Sequence, residues 1–266
     1  MQLFSREYGS KGPTLVIIHG LYGASDNWVS VARQLEQDYH VYLIDQRNHG
    51  QSPHDTAHTY VDMAADLLAF FTTHNIEKAH VVGHSMGGKT AMYFALTQPQ
   101  LIDKLVILDI APKSYASFSN YAQITNNHLL IIESMMKVDF SSVKSRQEVD
   151  TQLKQQLPDK PLRQFLLKNV ERKKDGTYNW RLNLKAIHAN LDKIMDGLSE
   201  QDHLPVQLPT VFIRGEQSGY VMDEDMLLAR KFFPGAELVT IPKAGHWLHA
   251  EQPELLIKTL AYFLLD

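Results

Sequence analysis

The stretch Val81-Val82-Gly83-His84-Ser85-Met86-Gly87-Gly88-Lys89-Thr90 can be read as two different catalytic devices. Gly83-His84-Ser85-Met86-Gly87 fits G-x-S-x-G, the sharp strand-to-helix turn that presents a serine hydroxyl as a nucleophile at the top of a sheet. The small residues Gly83, Gly87 and Gly88 would let the backbones approach closely there. The same residues, from Gly83 to Gly88-Lys89-Thr90, also fit G-x-x-x-x-G-K-[ST], the loop whose backbone N–H groups cradle phosphates. In that reading Leu105-Val106-Ile107-Leu108-Asp109 becomes an apolar strand ending in a magnesium-binding Asp. A Gly-rich turn without chemistry is the third reading.

The rest of the chain separates them. A serine nucleophile needs a base, a group that orients the base, and donors for the oxyanion. In sheet-mounted serine hydrolases the chain order is Ser, acid, His. His246 follows the last strand pattern, where the base belongs. His19-Gly20-Leu21 follows an early strand, where the second oxyanion donor belongs, so the donors are expected to be the backbone N–H groups of Leu21 and Met86. The phosphate loop explains neither segment. Such a loop usually opens its domain, whereas two strand patterns precede this one. Lys89 and Thr90 are therefore expected to be helix residues.

The elements that must position these groups alternate. Apolar strand patterns fall at 14–18, 41–44, 79–82 and 104–108, with helical spacing at 27–37, 61–71 and after Ser85. A continuous apolar run such as Thr14-Leu15-Val16-Ile17-Ile18 marks a strand buried on both faces. The alternation stops at Pro112 and resumes with a strand at 210–213, a helix at 223–233, a strand at 238–241 and a closing helix at 254–264. This predicts an α/β fold, with a mostly parallel central sheet covered by helices on both faces. A gap of roughly 90 residues without a clear strand is too long for a plain connection. It predicts a helical cap at 112–204 inserted into a core of 1–111 and 205–266. The apolar stretch Leu129-Leu130-Ile131-Ile132 with Met135 and Met136 reads as core of that cap, and could also wall an acyl pocket.

Composition narrows the function classes. The chain has 266 residues, 44% hydrophobic and 21% charged, as ordinary globular proteins do. A net charge of −4 argues against nucleic acid as a partner. There is no cysteine, hence no disulfide, thiol nucleophile or thiolate metal site. The first residues lack a basic segment followed by an apolar run, and no apolar stretch is long enough for a membrane span. A cytoplasmic location is the resulting expectation. Between 137 and 185 there are 12 Lys and Arg against 6 Asp and Glu, a local charge of +6. Such a cap could steer anionic substrates such as acyl-coenzyme A thioesters, although a solvated helix face is the plainer reading. His19 and His84 are expected to hold loops, Asp45 and Arg47 to form a structural pair, and His249 to support its loop. Metal binding by His246 and His249 lacks a third ligand.

The chain resembles the α/β-hydrolase superfamily through His19-Gly20-Leu21-Tyr22-Gly23, Asp45-Gln46-Arg47-Asn48-His49-Gly50-Gln51-Ser52, Gly83-His84-Ser85-Met86-Gly87-Gly88 and Gly245-His246-Trp247. It is most similar to the small YbfF-type esterases, through Arg47-Asn48-His49-Gly50, Leu108-Asp109-Ile110-Ala111-Pro112, Gln164-Phe165-Leu166-Leu167-Lys168 and Ser218-Gly219-Tyr220-Val221. Many superfamily members place the acid in a G-x-x-D pattern, but Gly215-Glu216-Gln217-Ser218 has a serine there. The YbfF-type resemblance implies instead that Asp109 orients His246. Asp109 also lies at the carboxyl edge of the sheet, where active sites gather. Glu216, Asp223 and Asp225 remain rival acids. Ser218 carries no charge, but its hydroxyl is expected to hydrogen-bond Asp109 or His246 as a fourth, supporting member. The expectation is a serine esterase acting on small-molecule acyl esters or thioesters through an acyl-enzyme, with no cofactor and no metal. A lyase or C–C hydrolase on the same scaffold, and a silent ligand receptor, are the alternatives.

Overall fold

The computed structural model describes residues 1–116, 122–199 and 203–265. The strands β1 (Ser5–Tyr8) and β2 (Thr14–Ile18) lead through α1 (Val29–Leu35) to β3 (His40–Ile44). Then come α2 (Tyr60–Thr73), β4 (Ala79–His84), α3 (Met86–Thr97) and β5 (Ile102–Leu108). Beyond β5 lie α4 (Ala122–Met136), α5 (Arg146–Leu153), α6 (Lys160–Leu167), the hairpin β6 (Val170–Arg172) and β7 (Tyr178–Trp180), α7 (Leu184–Ala189) and α8 (Leu191–Met195). The chain closes with β8 (Thr210–Gly215), α9 (Asp225–Phe232), β9 (Glu237–Ile241), α10 (Leu248–Glu251) and α11 (Pro253–Leu264).

Among the described residues the main sheet has seven strands in the order β1-β3-β2-β4-β5-β8-β9. Every pairing in it is parallel except β1 with β3. The two-residue period of a strand divides the core between the two faces. Leu15 and Ile17 of β2 pack with Val31 and Leu35 of α1 and Leu256 and Leu260 of α11. Val16 and Ile18 pack on the other face with Met63 and Phe70 of α2 and Phe94 of α3. This double burial explains the unbroken apolar runs in β2 and β5.

The chain moves outward from β2 to β3, then returns past β2 to β4. The order therefore reverses between β2 and β4, and the crevice at their carboxyl ends is where such sheets bind ligands. On the far side, β5 and β8 pair directly, Leu108 opposite Ile213, although all of 109–209 lies between them. That pairing brings the end of β5 against the Gly215 turn.

Two features differ from the sequence reading. The segment between β5 and β8 is not purely helical, since it contains the hairpin β6–β7, paired from Val170 opposite Trp180 to Arg172 opposite Tyr178. These short strands carry few apolar residues, so they lack the pattern of a buried strand. The antiparallel edge strand β1, with polar Ser5, Arg6 and Glu7, gave no apolar signal either. Within α4, Ile131, Ile132 and Met135 are buried while Leu129, Leu130 and Met136 are exposed. Among the described residues no helix is long and apolar enough to cross a membrane.

Candidate active site

Ser85 sits at the junction of β4 and α3 with φ 53° and ψ −121°, a conformation costly for any residue with a Cβ. The surrounding structure holds it there. Its N–H donates to the Leu108 carbonyl at 2.9 Å, and its own carbonyl accepts from Gly88 and Lys89 at 2.8 and 3.1 Å. The turn is tight enough to demand glycine. A Cβ on Gly87 would lie 2.5 Å from the carbonyl oxygens of both Ile18 and His19, and one on Gly83 would lie 2.3 Å from the Gly87 carbonyl. Gly83 is a strand residue, and Lys89 and Thr90 are buried in α3. Thr90 donates to Gln46 Oε1 at 2.9 Å or the Met86 carbonyl at 3.1 Å. With β4 passing straight into α3, no phosphate-cradling loop exists between Gly83 and Lys89.

At the end of β5, Asp109 is fully buried. Its carboxylate accepts from three donors. The Gly215 N–H reaches Oδ1 at 3.0 Å, His246 Nδ1 reaches Oδ2 at 2.7 Å, and the Ser218 hydroxyl also bonds Oδ2. The adjacency of β5 and β8 places Ser218 in this set. The rival acids are engaged elsewhere. Asp225 pairs with Lys113 at 2.5 Å and accepts from the Met222 N–H. Asp223 pairs with Arg214 at 2.6 Å, and Glu216 accepts from the Lys243 N–H at 2.9 Å.

Ser85 and His246 line one cavity of about 330 Å³. Leu21 lines it too, and a Cβ on the neighbouring Gly20 would stand 2.9 Å from the Ser85 Cβ. Met86 lines a small chamber that also adjoins Ser85. As the first residue of α3, Met86 has an N–H with no carbonyl one turn earlier to bond. The large cavity is walled by Leu130 and Ile131 of α4, Leu157 ahead of α6, Leu162 and Phe165 of α6, and Trp247. The apolar stretch of α4 thus serves as both core and pocket wall.

The remaining histidines hold the site. Gln46 N–H donates to His19 Nε2 at 3.0 Å, which leaves Nδ1–H to donate to the Gly20 carbonyl at 2.8 Å. His84 Nε2 donates to the His246 carbonyl at 2.8 Å. Burial, then the nearby His246 and His249 rings, hold His84 well below the usual imidazole range. His249 stacks on Trp28 at 4.4 Å, and burial pushes it down to about 3. Neutral rings next to His246 keep repulsive charge away from it. Asp45 and Arg47 are both structural, but not with each other. Asp45 accepts from the N–H groups of Ser25 and Gln51, while Arg47 grips Asp66 at 2.6 and 3.0 Å. Among the described residues no three His, Asp or Glu side chains are grouped to hold a metal.

Two residues escaped the sequence reading. The Tyr220 ring stacks on His246 at 4.0 Å and 18°. Its hydroxyl meets His128 Nε2 of α4 at 3.0 Å, and burial pushes His128 down to about 4. Tyr220 is two residues from Ser218 and could have been suspected for that reason. His128 lies in the insertion, far from any motif, and gave no signal.

Comparison with known proteins agrees with this architecture. The α/β hydrolase fold family matches residues 13–253. The chain is 37% identical over 256 residues to the zebrafish (Danio rerio) sn-1-specific diacylglycerol lipase ABHD11, covering 94% of this chain and 78% of that one. It is 36% identical over 256 residues to the esterase YbfF of Escherichia coli, covering 95% and 93%. The solved structure of a marine microorganism esterase superposes with a TM-score of 0.95 at 46% identity, covering 99% of both chains. From its strand order, its serine turn and these matches, the chain belongs to the α/β-hydrolase family.

Proposed function

We propose that this α/β-hydrolase is a serine esterase whose nucleophile is Ser85, whose base is His246 and whose orienting acid is Asp109. The observation that carries the reading is the 2.7 Å bond from His246 Nδ1 to Asp109 Oδ2. A proton on Nδ1 leaves Nε2 with its lone pair, the tautomer that can accept the serine proton. Ser85 then attacks the acyl carbonyl, and the N–H groups of Leu21 and Met86 hold the oxyanion. His246 protonates the departing alcohol. A water activated by the same nitrogen releases the acid from the acyl-enzyme. Ser218 donates a further hydrogen bond to Asp109 and keeps its carboxylate aimed at His246.

The substrate class follows from the cavity. Most of its apolar wall, Leu130, Ile131, Leu157, Leu162 and Phe165, comes from the segment between β5 and β8, which acts as a cap over the serine. No Lys or Arg is among the described residues that line it. Neutral acyl esters suit such a lining better than substrates whose anionic groups must be held inside. The lipase and esterase names of the relatives point the same way. The basic stretch 137–185 keeps thioesters of coenzyme A as the second reading, because phosphates could be attracted by the outer face of the cap. A fluorophosphonate probe tests the enzyme reading. It should label the protein and fail to label Ser85→Ala. A protein that stays unlabelled and turns over no ester in a panel of varied chain length would instead be a receptor.

A further inference from the structure

The mechanism leaves Lys89 unused, although it is one helical turn past Ser85 and only 1% exposed. Its Nζ donates to the Asp196 carbonyl and lies 3.5 Å from that of Met195. These carbonyls close α8, which belongs to the inserted segment, and helix ends leave such oxygens without an internal partner. Neighbouring carbonyls are engaged as well. The Tyr60 hydroxyl of α2 donates to the Ile194 carbonyl at 2.6 Å, and the Tyr115 N–H to that of Met195 at 2.7 Å. The ammonium also lies over the Tyr115 ring at 4.8 Å and the Tyr60 ring at 5.8 Å. Of three successive carbonyls at the end of α8, that of Ile194 is thus held by α2 and that of Asp196 by the helix that carries the nucleophile.

We propose that Lys89 is a positioning and specificity-determining residue: it fastens the end of α8 to the nucleophile helix, and so sets where the inserted segment places its apolar wall over Ser85. The side chain's surroundings support a role beyond filling space. Lys89 lines the small chamber beside Ser85, together with Tyr60, Tyr115, Ile194, Met195 and His128. His128 ties this chamber to α4, whose Leu130 and Ile131 wall the large cavity. A shift of α8 against α3 would therefore be felt by the acyl chain. The reacting carbonyl would feel it less, since the serine turn is held by β4, β5 and its own glycines. Burial pushes Lys89 down to about 7, with Asp196 opposing and Lys113 adding to the shift. Such a group is retained at a cost, as a single ammonium with several donors can be at a point of attachment.

The proposal rests on the esterase reading, and the two can fail separately. Steady-state kinetics of p-nitrophenyl acetate and p-nitrophenyl octanoate are compared for the parent, Lys89→Met and Tyr60→Phe. Lys89→Met keeps the length of the side chain and removes the donors. It should raise KM for octanoate roughly five- to tenfold, the effect of one ordinary hydrogen bond, while kcat/KM for acetate stays within about twofold. Tyr60→Phe should act in the same direction and more weakly. Equal change for both esters, or none for either, overturns the proposal. If Lys89→Met does not fold, Tyr60→Phe decides between the same two outcomes. If the parent turns over neither ester in a Ser85-dependent way, the esterase reading falls and this proposal with it.

Discussion

Replacing Asp109 with Asn tests the proposed acid at the level of single hydrogen atoms. The Gly215 N–H points at Oδ1 from 3.0 Å, so an amide at this position must keep its carbonyl oxygen there. Its NH2 group then occupies the Oδ2 site, facing His246 Nδ1 and the Ser218 hydroxyl. An amide donor toward Nδ1 forces the imidazole proton onto Nε2, where it blocks acceptance of the serine proton. The flipped amide would set two donors against each other and leave the buried Gly215 N–H unpaired, a cost of about 1–3 kcal/mol. At RT of about 0.6 kcal/mol that confines the competent arrangement to between a fifth and less than a hundredth of the molecules. With the imidazolium also deprived of its counter-charge, kcat should fall toward the roughly 10⁴-fold loss of the analogous protease change. Stopped assays on a p-nitrophenyl ester, with circular dichroism to verify the fold, measure it. Ser218→Ala removes one of three donors and should cost only about tenfold. Ser218→Asp combined with Asp109→Asn rebuilds a carboxylate beside His246 and should recover part of the rate. A nearly active Asp109→Asn together with a dead Glu216→Gln, Asp223→Asn or Asp225→Asn would refute the reasoning.

Other expectations follow from the same geometry. Ser85→Ala and His246→Ala should each lower ester turnover by several powers of ten while the thermal transition stays near that of the parent; a near-normal rate in either excludes the assignment. If the basic stretch 137–185 steers anionic substrates, kcat/KM for an acyl-coenzyme A should fall with added salt while a neutral ester is unaffected, and equal responses dismiss steering. Lys89 ties stability to pH. Its folded value of about 7 is below the ordinary 10.5, so the unfolded chain binds the proton more readily between these limits. Stability therefore falls as pH drops from 10.5 to 7, by at most about 1.4 kcal/mol per unit, and levels off below 7. The Tm of the parent should accordingly gain on that of Lys89→Met as pH rises from 7 toward 10, and a constant difference would contradict a depressed lysine. Gly87→Ala drives a methyl group to 2.5 Å from two β2-end carbonyls, and should yield little folded protein by expression and melting assays.

Much of the site was legible in one dimension because its parts are local. A G-x-S-x-G turn between an apolar strand and a helix singles out Ser85 once His246 and the His19-Gly20-Leu21 segment have set the phosphate-loop reading aside. Leu21, Met86 and His246 each lie within a few residues of a strand's carboxyl end, so their places at that edge come from strand pattern. Continuous apolar runs announced the parallel, doubly covered sheet for the same local reason. The proposed acid was of another kind. Asp109 and His246 are 137 residues apart, and four carboxylates competed for the role. Only the direct pairing of β5 with β8, across the whole insertion, sets Asp109 against the imidazole and the Ser218 hydroxyl against Asp109, and leaves Asp223, Asp225 and Glu216 to other partners. Tyr220 against His246 and Lys89 beneath α8 are likewise contacts between elements, with no spacing rule to reveal them. Sequence periodicity reports which face of an element is buried, but not which element it is buried against. That second choice, made by strand order and by the placement of the inserted segment, is what brings the serine turn and the histidine loop to one cavity.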